Sequence, residues 1–252
     1  MSLSERKLLL DIVTSEIKGR IPFMVGTGAI NPTEVREMTL QAMDHGADAA
    51  LVVCPPYIKP PQRGLVKHFT NVAELGLPVV LYNVPGRTAV DLTPETIGLC
   101  MEMHDGIIGV KEATGDVSRV GKIRKVEEEV RVRSGIDSDR KLLLYSGDDA
   151  TEAQFVLEGG DGCISVTANV AAKEMHEMMM LALGGKKNEG EVNRINDLLK
   201  DLHTDIFCES NPIPAKWAAK RLGMIESAYC REPMMELDEQ YYEKVEAALR
   251  KA

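Results

Sequence analysis

The sequence predicts an α/β protein of the β/α-barrel kind, and three observations predict it. Apolar runs with no polar alternation recur between stretches of helical periodicity, and the two alternate strictly up to about Gly190. Strands that are apolar on both faces and separated by helices imply a parallel sheet covered by helices. The third observation is position: GTGA at Gly26, CPPY at Cys54, YNVPGRT at Tyr82, KEATGD at Lys111, SGDD at Ser146 and SVTANV at Ser165 each follow the end of an apolar run. In a β/α barrel the C-terminal strand ends are where catalytic residues converge.

The elements follow in order. Leu8, Leu9, Ile12, Val13 and Ile17 recur at helical spacing, so Leu3 to Lys18 reads as a helix, with Gly19 a suitable stop. Ile21 to Gly28 is a short apolar run ending in glycines, and Pro32 to His45 returns to the helical period. The unit then repeats. Asp48 to Cys54, Pro78 to Val84, Gly106 to Ala113, Lys141 to Tyr145 and Gly162 to Val166 read as strands. Each is followed by a helix: Arg63 to Leu75, Pro94 to Met103, Val117 to Val130, Ala150 to Glu158 and Ala171 to Leu183. Six βα units are visible where a closed barrel has about eight. The reading is therefore a (β/α)8 TIM barrel N-terminally truncated to about six units. After Gly190 only helices are predicted, at Glu191 to Phe207, Pro214 to Leu222 and Asp238 to Lys251, which makes 1–186 a barrel portion and 187–252 a helical C-terminal appendage.

Composition narrows the class. With 252 residues the chain can bury a substantial core, and a net charge of −9 without any Lys/Arg run argues against nucleic acid or an anionic membrane as partner. Small molecules and other protein chains are the expected partners. The five cysteines are odd in number, far apart and never in a CxxC pair, so they suit core positions in a reducing compartment better than a disulfide framework or a zinc site. MSLSERKLLL has neither a signal-peptide core nor transit character, and no run approaches the roughly 18 apolar residues that span a bilayer. The expected location is the cytoplasm, or a plastid if a transit peptide lies in a preceding segment.

One lysine organises the chemistry. Lys111 lies near the end of the apolar run GIIGVKEATG, where its head either reaches water or is desolvated enough to serve as a free amine, the form that attacks carbonyls. Tyr82 ends the preceding strand, and neighbouring strands lie about 4.8 Å apart, so phenol and amine can meet as a proton relay. Arg87, five residues after Tyr82 and past a Pro-Gly turn, can hold a substrate carboxylate with two parallel hydrogen bonds.

VVLYNVPGRT, GVKEATGD, LYSGDDA and GCISVTANVAA, with CPPY upstream and NPIPAKWA near the C-terminus, together resemble the dihydrodipicolinate synthase family. The likeness runs from about Lys7 to the C-terminus. It implies a Schiff-base lyase that condenses pyruvate with aspartate semialdehyde on the route to diaminopimelate and lysine, with no metal or organic cofactor. By the same resemblance Lys111 is the Schiff-base lysine and Tyr82 a relay tyrosine. Tyr57 is a second relay tyrosine that reaches the neighbouring subunit's site of a homo-oligomer, Arg87 holds the semialdehyde carboxylate, and Ile164 lines the pyruvate site. Family members carry, before the helix that opens this sequence, a strand, a helix and a strand ending in Gly-Thr-Thr-Gly-Glu. Of the positions used for lysine inhibition, aligned here with Ile30, Glu34 and Pro56, only Glu34 keeps the family's residue, which implies no feedback by lysine. The alternatives are another pyruvate Schiff-base aldolase, such as N-acetylneuraminate lyase, or an impaired paralogue that serves as a binding or assembly protein. A phosphate site at SGDD or GGDG is electrostatically poor, because an acid follows each glycine.

Overall fold

The computed structural model of the chain describes residues 1–137 and 139–252, which form two compact units, Met1–Leu144 and Tyr145–Ala252. In the first unit α1 (Leu3–Ile17) begins at a capping box: the Ser2 hydroxyl accepts the Glu5 N–H while the Glu5 carboxylate accepts the Ser2 N–H. The helix stops one residue before the expected glycine, because Lys18 itself takes the left-handed cap at φ 49°.

Strands and helices then alternate as expected: β1 (Met24–Gly26), α2 (Pro32–Asp44), β2 (Ala49–Val53), α3 (Gln62–Ala73), β3 (Val79–Asn83), α4 (Pro85–Thr88), α5 (Pro94–Met103), β4 (Ile107–Glu112) and α6 (Arg119–Ser134). Of these, α4 is new; the sequence reading placed only a turn there. Proline at the first position and a preceding Asn31 or Thr93 cap start α2 and α5, satisfying amides that a helix end leaves open. The strands pair in parallel and in chain order, β1 with β2, β2 with β3, β3 with β4. Buried Val52, Phe69, Leu81, Ile97, Val110 and Ile123 form the core of this unit, each full burial contributing about 1.5 to 3 kcal/mol.

The register between β3 and β4 positions the site. Val79 faces Ile107, but an irregularity before Val80 sets that residue against Gly109, so Tyr82 lies opposite Lys111 and Asn83 opposite Glu112. Carried on without the shift, the Val79 register would have set Tyr82 beside Val110, whose side chain points to the other face. Gly109 is also where Leu143 approaches most closely: a Cβ there would lie 2.5 Å from the Leu143 carbonyl oxygen.

In the second unit Tyr145 and Ser146 of β5 (Leu143–Ser146) pair in parallel with Gly162 and Cys163 of β6 (Gly162–Cys163), with α7 (Glu152–Leu157) between them. The last strand is shorter than expected. The Val166 and Thr167 amides turn to the Asp149 carboxylate instead of continuing a ladder. Helices alone follow: α8 (Ala172–Leu183), α9 (Glu189–Asp205), α10 (Ile213–Arg221) and α11 (Tyr242–Lys251). Ile213, Ala218, Cys230, Leu237 and Val245 form a buried cluster among the C-terminal elements, and Trp217 stacks on Tyr242 with ring centroids 4.9 Å apart. Among the described residues no helix is long and apolar enough to cross a membrane. Of the cysteines expected at core positions, Cys54, Cys100 and Cys230 are buried, whereas Cys163 and Cys208 are half-buried.

Candidate active site

Lys111 and Tyr82 are the next-to-last residues of β4 and β3, register partners on one face of the sheet, and both are half-buried. The Lys111 Nζ lies over the Tyr82 ring, 4.5 Å from its centroid. An ammonium is attracted to that face. Burial raises the Tyr82 pKa and the nearby Arg87 guanidinium partly offsets it, with a net rise. Tyr82 is therefore a protonated phenol at neutral pH, a group that can donate a proton and take it back.

Because side chains alternate along a strand, Asn83 and Glu112 point to the opposite face, where they are 0% and 2% exposed. Asn83 Nδ2 donates to Asp91 at 2.8 Å and to both Glu112 oxygens at 3.2 Å. Arg119, at the start of α6, donates Nε to Glu112 at 2.8 Å, Nη1 to Asp91 at 3.1 Å and Nη2 to the Leu92 carbonyl at 2.6 Å. Leu92 and Thr114 amides donate back to Asn83 and Glu112. The network ties the ends of β3 and β4 together directly behind Tyr82 and Lys111. Sequence reasoning did not single out these four residues. For Asn83 and Glu112 a signal was there: a polar residue follows each chemical residue inside an apolar run, and period two sends it to the helix side, where an amide and a carboxylate need partners.

Arg87 belongs to α4, the single turn that follows β3, and its side chain is exposed while acting on Tyr82 through space. Tyr57 follows β2. Its N–H donates to the Thr88 carbonyl at 3.2 Å, its φ is 72°, and it is 85% exposed. A left-handed conformation at a bulky residue costs on the order of 1 to 3 kcal/mol and persists only where its surroundings enforce it. The first unit thus brings Lys111, Tyr82 and Arg87 together, with Tyr57 tethered to the turn that carries Arg87. Ile164 belongs to the second unit, just after β6, where its N–H donates to the Ser146 carbonyl at 2.8 Å.

An amine, a protonated phenol and a guanidinium at adjoining strand ends make a site for a carbonyl compound bearing a carboxylate. A sequence model described as the dihydrodipicolinate synthetase family matches residues 1–252. The chain belongs to the dihydrodipicolinate synthetase family. It is 45% identical over 253 residues to the 4-hydroxy-tetrahydrodipicolinate synthase of Saccharophagus degradans, covering 100% of this chain and 82% of that one. The enzyme of the same name from Legionella pneumophila strain Corby is 43% identical, with 99% of this chain and 81% of the relative covered. Among solved structures, a dihydrodipicolinate synthase from Acinetobacter baumannii complexed with pyruvate superposes with a TM-score of 0.90 at 41% identity, covering 100% of this chain and 81% of that one. A monomeric dihydrodipicolinate synthase variant superposes equally well, TM-score 0.90 at 31% identity, with 99% and 80% covered. The parallel strands and intervening helices expected from the sequence are those of dihydrodipicolinate synthase structures, and the helices after Gly190 belong to the same superposition.

Proposed function

We propose that this chain is a lyase that condenses pyruvate with L-aspartate 4-semialdehyde to give 4-hydroxy-tetrahydrodipicolinate, through an imine on Lys111. The observation that carries the reading is the Lys111 amine held over the Tyr82 ring, with the Arg87 guanidinium close enough to act on that phenol. As a free amine Lys111 adds to the pyruvate ketone, and loss of water leaves an iminium. Loss of a methyl proton gives an enamine, with the iminium nitrogen as electron sink. The enamine carbon attacks the semialdehyde aldehyde, and a proton from Tyr82 neutralises the new alkoxide. The substrate's own amine then adds to the iminium carbon, and Lys111 leaves as the ring closes. Arg87 takes the semialdehyde carboxylate in a bidentate pair, Ile164 lines the pyruvate end, and Tyr57 extends the relay across a subunit interface.

Tyr57 at 85% exposure and Ile58 at 52% are what a protein surface leaves bare when a second copy covers it, which supports a homo-oligomer. The barrel portion is 1–186 and the helical portion 187–252, a division by element type.

Arg87 decides the second substrate. The experiment follows imine formation with pyruvate and cyclic product with the semialdehyde separately, for wild type and Arg87→Ala. A charge-assisted bidentate contact contributes about 1.5 to 3 kcal/mol, so product formation is expected to fall roughly 10- to 150-fold while imine formation stays near wild type. Equal loss of both would make Arg87 a support of its turn. Undiminished condensation would assign the carboxylate to another cation and favour a sugar-acid lyase such as N-acetylneuraminate lyase.

A further inference from the structure

The second unit holds a cluster that the reaction above does not use. Asp149 and Glu152, at the start of α7, meet His203 of α9: one donor atom from each lies within 4.8 Å of the others, and all three residues are buried. Glu152 is 0% exposed, yet neither of its carboxylate oxygens has a hydrogen-bond partner, and neither does Nε2 of the 3%-exposed His203. Buried polar atoms are almost always partnered, so unpartnered ones on two residues whose ligand atoms gather with that of Asp149 call for a ligand there.

The other sides of these groups are already held. Nδ1 of His203 lies 3.0 Å from the Thr167 hydroxyl, and Asp149 accepts the Val166 N–H at 3.1 and 3.2 Å and the Thr167 N–H at 3.3 Å. Metal ligands are oriented in this way: in the tautomer whose Nδ1–H donates to the Thr167 hydroxyl the lone pair is left on Nε2, and the carboxylate is fixed by amides. We propose that Asp149, Glu152 and His203 form a divalent-cation site suited to Zn²⁺, which ties the start of α7 and the segment after β6 to α9.

Charge and donor type agree with the proposal. Two carboxylates and one imidazole match the charge and the donor types of a single divalent ion. A nitrogen donor in a dry pocket favours zinc over magnesium, which prefers oxygen ligands and keeps its waters. Tetrahedral zinc, with bonds of about 2.0 to 2.2 Å, sets its donors about 3.3 to 3.6 Å apart, so donors that lie within 4.8 Å of one another close by up to about 1.3 Å when the ion enters.

The test titrates the chelator-treated full chain with Zn²⁺ alone, against a competing chromophoric chelator, and follows the His203 ring resonances by NMR. One ion per chain is expected, with a shift of the His203 signals complete at one equivalent. Glu152→Gln, which keeps the shape of the side chain and removes the charged ligand, is expected to weaken binding by at least about 10- to 100-fold, the loss that removal of outer-shell partners alone produces. His203→Gln should do the same. An unshifted His203 ring in the wild type, or uptake that both substitutions leave intact, would overturn the proposal.

Discussion

Lys111→Ala loses condensation by about 10⁴- to 10⁶-fold, the scale seen when a covalent nucleophile is removed from an otherwise intact site. The reason is local. The amine is the only atom of Lys111 that the reaction needs, and no neighbour replaces it: Tyr82 is held as a neutral phenol and Arg87 carries a guanidinium that does not deprotonate. The fold should survive, because Lys111 is half-buried at a strand end and the core residue Val110 precedes it. Steady-state rates with both substrates, measured beside an unfolding curve, check this. A loss under about 10-fold in a folded variant would move the nucleophile elsewhere.

The largest stability effect falls on the residue after it. In Glu112→Ala the Arg119 guanidinium, 7% exposed, keeps only Asp91 and a carbonyl, and Asn83 loses its pair. Breaking a buried ion pair by deleting one partner costs about 3 to 5 kcal/mol, because the remaining charge stays desolvated. Denaturant midpoints give the value. Glu112→Gln, which retains shape and one acceptor, should lose distinctly less. A Glu112→Ala midpoint equal to wild type would mean that the network does not hold the ends of β3 and β4, and with them the register of Tyr82 and Lys111.

What the sequence made legible follows from period and position. Apolar strands between amphipathic helices announced a parallel α/β fold, and the placement of Tyr82, Lys111 and Arg87 at or just beyond strand ends pointed to a candidate site. The resemblance carried Tyr57 and Ile164, which no periodicity could have selected. The β3 to β4 irregularity was invisible, because register depends on how two strands pair and not on either alone. The turn of α4 was missed for its brevity; Pro85–Thr88 is too short for any period. Arg119, Asp91, Asn83 and Glu112 meet across separations that only tertiary structure closes. Glu152 was hidden differently: an acid in a first helical turn reads as a surface residue favouring the helix dipole, and here it is fully buried.

The central claim is that Lys111 is the amine that forms the imine, and borohydride trapping with pyruvate tests it most directly. Intact mass followed by peptide mapping of the wild-type chain should show one reduced-pyruvate adduct, on the peptide containing Lys111, and none in Lys111→Ala. An adduct on any other lysine, or one that persists in Lys111→Ala, would contradict the account.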